Sequence, residues 1–156
     1  MDWSFGDYAA AATLLAGFVF GAAIALRTSG QLAYRAAAFL ALLSVLALIW
    51  INGAVGIIGS EGNAANLMYG VVVLIALAGA VVARLRAAGM ALTLALMAGA
   101  QVLIGLIAWL GGMGSGSPSW PQSLIGVTVI FAGAFLGAAA LFRAAARAQA
   151  AASLSR

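Results

Sequence analysis

Long apolar runs alternate with short polar breaks along this chain, and the breaks are of two kinds. The runs, at about 9–26, 36–58, 64–83, 90–110 and 123–142, contain no charged residue. Each approaches or exceeds the ~20 residues that a helix needs to cross the hydrocarbon core of a bilayer. None alternates polar with apolar at period two, so a β-barrel is not expected. The breaks at Arg27–Arg35 and Arg84–Gly89 are basic, as is the stretch after Arg143. The breaks at Ser60–Asn63 and Gly111–Gln122 contain no base; one holds Glu61, the other is a Gly/Ser/Pro loop with Trp120. The pattern predicts an all-α, single-domain membrane bundle of five transmembrane helices. The Ala-rich tail from Arg143 is expected to continue as helix before fraying.

Five spans put the two ends of the chain on opposite sides. All seven bases (Arg27, Arg35, Arg84, Arg86, Arg143, Arg147 and Arg156) then fall on one side, and Asp2, Asp7 and Glu61 fall on the other. The positive-inside bias predicts the N-terminus outside and the C-terminus in the cytoplasm. Trp3, Tyr8, Tyr69, Trp109 and Trp120 fall near the outer interface, and Tyr34 and Phe142 near the inner one, where aromatic rings prefer to sit. The first residues are acidic rather than basic, so the opening segment is expected to be retained rather than removed as a signal peptide.

Composition narrows the chemistry. The chain is 66% hydrophobic and 6% charged, against about 25% charged in a soluble domain. It has no Cys, so it offers no disulfide, thiolate nucleophile or Cys-held iron–sulfur cluster. Without His it lacks an imidazole ligand for haem or zinc and a His general base. Without Lys it cannot form a Schiff base. Three acids in one chain are too few for a carboxylate-rich metal site. The net charge of +4 follows from membrane topology and gives no reason to expect nucleic acid as a partner. No cofactor is called for, although an apolar pigment, lipid or quinone held by packing alone would leave no clear signature.

A few positions depart from this background. Gly17/Gly21 and Gly133/Gly137 are GxxxG pairs in the first and fifth spans. Small residues four apart allow close helix approach, either inside the bundle or between copies. Gln101 lies in the middle of the fourth span, where its amide needs a partner. It fits an interhelical hydrogen bond or a polar point on a solute path. Asn52 would share a helix face with Gly56 and Ser60 if the second helix reached that far. Gly53, Gly56, Gly59 and Gly62 recur every three residues and permit a bend or a re-entrant excursion. Glu61, Asn63 and Asn66 form the densest polar group, with Tyr69 following. Asn63 suits a helix N-cap and Glu61 lies just before the positive end of the third span; a contact with a partner outside the membrane is the alternative. The Arg84/Arg86 and Arg143/Arg147 pairs suit anionic headgroups. A shift of 59 residues maps Arg27 onto Arg86, Gly30 onto Gly89, Trp50 onto Trp109 and Gly53 onto Gly112, the mark of a possible parallel repeat.

The stretch Trp50–Tyr69, with Ala-Val-Gly-Ile-Ile-Gly, a turn carrying Glu61 and Asn63, and then Asn-Leu-Met, resembles a motif of a group of small bacterial integral membrane proteins. In that group the turn often carries an Asp before its first Asn and a Pro after it; here those positions are Gly62 and Ala64. The group has no assigned activity, so the resemblance implies none, and its remainder matches only in helix layout. The leading expectation is a non-enzymatic protein of the bacterial inner membrane. It would be a structural or accessory subunit that packs among membrane lipids with itself or with a larger complex. Asn52, Glu61, Asn63 and Asn66 would be its outer contact points. The alternative is a small homo-oligomeric transporter or channel for an uncharged or small solute, with Gln101 and Asn52 lining the path. An enzyme using Glu61 and Tyr69 is the weakest reading.

Overall fold

A computed structural model describes residues 4–155. Five helical segments among them, of 20 to 33 residues, are long and apolar enough to cross a membrane. Helix α1 covers Phe5–Thr28, α2 Leu32–Ala54, α3 Gly70–Ala83, α4 Ala87–Leu110 and α5 Gln122–Leu154, and a 3-10 helix over Ala64–Tyr69 leads into α3.

Local chemistry sets several of these limits. Ser4 and Asp7 start α1 as a reciprocal cap. The Ser4 hydroxyl accepts the Asp7 N–H at 3.2 Å, and the Asp7 carboxylate accepts the Ser4 N–H at 2.8 Å, which satisfies two donors that a helix start leaves open. Helix α2 stops at Ala54, four residues short of the expected end of the second span. Beyond it Gly56 and Gly59 adopt φ of +73° and +78°, a region that glycine enters without penalty. At Gly56 an added Cβ would strike the Ser60 backbone. The third span starts in 3-10 rather than α geometry. Helix α5 runs to Leu154. At ~1.5 Å per residue its 33 residues span about 50 Å, well beyond a hydrocarbon core of ~30 Å. Its last turns, exposed from Arg147 onward, therefore project past the bilayer.

The helices contact one another in the order α1–α2–α5–α4–α3. Helix α4 is the most deeply buried span, at 44% against 11% for α1. Small side chains make the approach close: Ala91, Ala98 and Ala108 of α4 and Ala132, Ala138 and Ala139 of α5 are all buried. Without a hydrophobic drive between helices in lipid, such packing is a main source of bundle stability. Two glycines mark the tightest crossings. Gly79 of α3 faces Thr93 of α4 with no room for a methyl group, and a Cβ on Gly105 of α4 would lie 2.6 Å from the Thr128 hydroxyl of α5. The shift that relates the two helix pairs in sequence does not relate these contacts. In the first pair Gly21 meets Leu42, whereas in the second Gly79 meets Thr93, the counterparts of Phe20 and Tyr34.

Cross-links fix the ends of the bundle. At one end the Asn63 amide donates to the Met113 carbonyl at 2.6 Å, joining the two long loops. At the other the Tyr34 hydroxyl donates to the Leu85 carbonyl at 2.7 Å, while its ring meets Phe142 edge-on at 5.0 Å. Arg27, Arg35, Arg84, Arg86 and Arg143 belong to this second end, the arginine face; Glu61 belongs to the first.

Candidate functional site

The stretch between α2 and α3 folds inward. Ile57 and Ile58 are 3% and 0% exposed, although they lie in a loop, and a buried loop must account for its backbone polar groups. Asn66 does this. Its side-chain oxygen accepts the N–H of Ile57 at 3.0 Å and that of Ile58 at 2.8 Å. Its side-chain nitrogen donates to the Ser60 carbonyl at 2.6 Å. Asn52, from the last turn of α2, donates to the Asn66 backbone carbonyl at 3.1 Å. The result is a knot that ties the end of α2 to the start of the third span. The Gly-Ile-Ile-Gly segment is pushed into the protein as an apolar plug. Gly59 sits against Gly114, 3.2 Å from where its Cβ would stand, and a Cβ on Gly114 would meet the Trp120 ring at 2.5 Å. The two glycine-rich loops are thus stacked face to face.

The predicted site residues separate under this geometry. Asn66 is 5% exposed and its amide is wholly engaged by its own loop. Asn52, Gly56 and Ser60 do not form a helix face, because the helix ends before Gly56. Asn63 caps the 3-10 helix by accepting the Ala65 N–H at 3.0 Å and also holds the opposite loop through Met113. Glu61 is exposed at the turn, the one carboxylate of the loop that faces outward. Tyr69 is 1% exposed and lies inside the bundle rather than at its rim.

Gln101 lies apart from the knot. It has no exposed surface, and neither atom of its amide has a hydrogen-bond partner. The hydroxyls of Tyr69 and Thr128 are likewise buried without one, although Tyr69 is directed towards Thr128. Helix α4 therefore carries a polar side chain at its centre that is turned into the bundle.

The two GxxxG pairs are each split. Gly21 seats the Leu42 side chain and a Cβ on Gly137 would lie 3.6 Å from Leu40, both on α2, whereas a Cβ on Gly17 or Gly133 would meet nothing within 4 Å. One member of each pair thus packs within the bundle and the other faces out. Sequence reasoning met Ile57 and Ile58 only as apolar residues of a motif, placed Tyr34 only as an interfacial ring, and passed over Thr93 and Thr128. The first two are indistinguishable from span residues by hydropathy, and the others are ordinary weakly polar residues of membrane helices.

The architecture defines a class, a multi-pass α-helical membrane protein. No protein-family model matches the chain, and neither the curated proteins nor the solved structures include a significant match to it.

Proposed function

We propose that the protein is a non-enzymatic accessory subunit of a bacterial inner membrane, with its N-terminus outside and its C-terminus in the cytoplasm. It packs through α1 with a second copy or with a larger complex. The observation that carries this reading is the state of α1. It joins the bundle through α2, by Phe18 against Phe39 at 6.0 Å, by Gly21 under Leu42, and by Ala22 and Ala25, its two buried residues. Its first half is almost wholly exposed: Phe5 is 90%, Tyr8 61% and Leu15 65% accessible. Helix association in lipid depends on packing of small residues, and α1 offers Gly17 together with Ala9, Ala12 and Ala16 on its uncovered surface. A span so little used by its own bundle suits association with another helix.

A homo-oligomeric transporter finds less support. In that reading Gln101 and Asn52 line an axis between copies. Gln101 has no exposed surface, and the Asn52 side chain is turned inward, its nitrogen donating to the Asn66 carbonyl and its oxygen buried without a partner.

Because the chain has no Cys, a Gly17→Cys variant carries a single thiol. Thiol cross-linking in native membranes is expected to give a discrete adduct with a second polypeptide. The same experiment with Leu136→Cys, on the exposed side of α5, should give little. Equal and diffuse reaction at both positions would overturn the assignment of α1 as the interface.

A further inference from the structure

Because the helix contacts run in an open series, α3 is held by α4 and barely meets α2, and a cleft is left. It lies between α2 and α3, is backed by α4 and α5 and is flanked by α1, with a cavity of about 230 Å³. Leu42 and Val45 line one wall, Ala76 and Ala80 the other, and Met97 the floor. The cleft is pinned at both ends. Towards Glu61 the Asn52–Asn66 link ties α2 to the 3-10 helix that leads into α3, and the Tyr34–Leu85 link crosses the cleft at the arginine face. Tyr34 and Leu85 are themselves part of its lining. The cavity is larger than the ~150 Å³ apolar cavities that bind benzene. It is too narrow for another helix, whose diameter is ~10–12 Å. A flexible hydrocarbon chain is the occupant that a lipid-exposed slot of this width admits.

The rim supplies the second observation. Arg84 and Leu85 both adopt left-handed backbone, with φ of 48° and 58°, an arrangement that L-residues rarely take and that local contacts must hold. The Tyr34 hydroxyl provides such a contact at the Leu85 carbonyl. The turn presents Arg84 and Arg86, both exposed, on either side of the cavity-lining Leu85. Arg27 is exposed in the last turn of α1, three residues on from the cavity-lining Ile24 and so on the same side of the helix. The described acids, Asp7 and Glu61, belong to the other end of the bundle. Arg35, by contrast, is used internally, donating to the Ser29 and Leu26 carbonyls. The apolar slot thus ends in unneutralised guanidinium groups at the depth where a phosphate would lie.

We propose that this cleft is a lipid site that takes one acyl chain of an anionic phospholipid, with the headgroup phosphate held by Arg84, Arg86 and Arg27. The site is independent of the α1 interface, since it needs only one protomer.

The test is native mass spectrometry of protein extracted gently from vesicles of equal phosphatidylglycerol and phosphatidylcholine. Wild type is expected to retain one phosphatidylglycerol per chain in preference to phosphatidylcholine. Ala80→Phe, which fills the slot, should lower retention of either lipid at least about tenfold, the loss of roughly two methylenes' burial. Arg84→Gln combined with Arg86→Gln should leave chain binding but lower the anionic preference by about 30-fold. Retention of both lipids alike by wild type, or undiminished retention by Ala80→Phe, would overturn the proposal. Circular dichroism monitors folding. If Ala80→Phe does not fold, Ala76→Leu fills the same wall with a smaller group and is read by the same two outcomes.

Discussion

Replacing Asn66 by Leu removes the side chain around which the inward loop is built. Leucine keeps roughly the volume and suits a site that is 5% exposed, so the change isolates the hydrogen bonds. Two N–H donors, those of Ile57 and Ile58, lose their acceptor, and both residues are too buried to reach water in the native loop. A stranded buried donor costs about 1–3 kcal/mol, so the pair costs about 2–6 kcal/mol. The Ser60 carbonyl also loses its partner, but Ser60 is exposed and solvent can replace the bond. We therefore expect a destabilisation of about 4 kcal/mol, a large share of the ~5–15 kcal/mol of a typical native state. Asn63→Ala is the control. It removes an N-cap bond worth about 1 kcal/mol and an inter-loop bond whose acceptor, on Met113, belongs to an exposed residue. Reversible unfolding in mixed micelles, followed by far-ultraviolet circular dichroism and by tryptophan fluorescence, gives both values. A loss below about 1 kcal/mol for Asn66→Leu, or one no larger than that of Asn63→Ala, would refute the knot as the device that buries the loop.

Other outcomes follow from the same geometry. Gln101→Leu should leave stability unchanged or raise it by about 1 kcal/mol, because it removes two buried polar atoms without partners; a clear loss in the same unfolding assay would mean that the amide is bonded. Gly79→Val should cost at least about 1–3 kcal/mol, since even a Cβ collides with Thr93, whereas Gly17→Val, with open space around it, should leave the unfolding midpoint of the isolated chain almost unmoved. Tyr34→Phe should cost about 1 kcal/mol through loss of its bond to Leu85, read as a shift of the same transition. For orientation, a single thiol from Glu61→Cys should react with a membrane-impermeant reagent in intact cells and one from Ser153→Cys only after permeabilisation; the reverse pattern would invert the proposed topology.

The division into five spans was legible because apolar length and the placement of charge report directly on the bilayer. Asn63 was also readable, since an Asn just before an apolar run is a cap by local chemistry. The end of α2 was not. Val55 to Gly59 is as apolar as the helix before it, and hydropathy does not distinguish a span that continues from a loop that turns inward. That choice rests on Gly56 and Gly59 taking positive φ and on Asn66, residues further along the chain, satisfying the Ile57 and Ile58 amides. The split of the GxxxG pairs was hidden for a related reason. Spacing puts both glycines on one face but does not say how far along the helix the neighbour stays in contact, and α1 packs on α2 through Phe18 and Gly21 but leaves Gly17 in open space. The cleft left no sequence mark, being a property of the order in which the helices touch.

The mass of the particle extracted gently from native membranes tests the accessory-subunit reading most directly. The account predicts a particle heavier than one chain of 15.5 kDa, containing a second copy or other polypeptides, that Gly17→Leu dissociates while the released chain stays folded. A wild-type particle of one chain with bound lipid alone would contradict it.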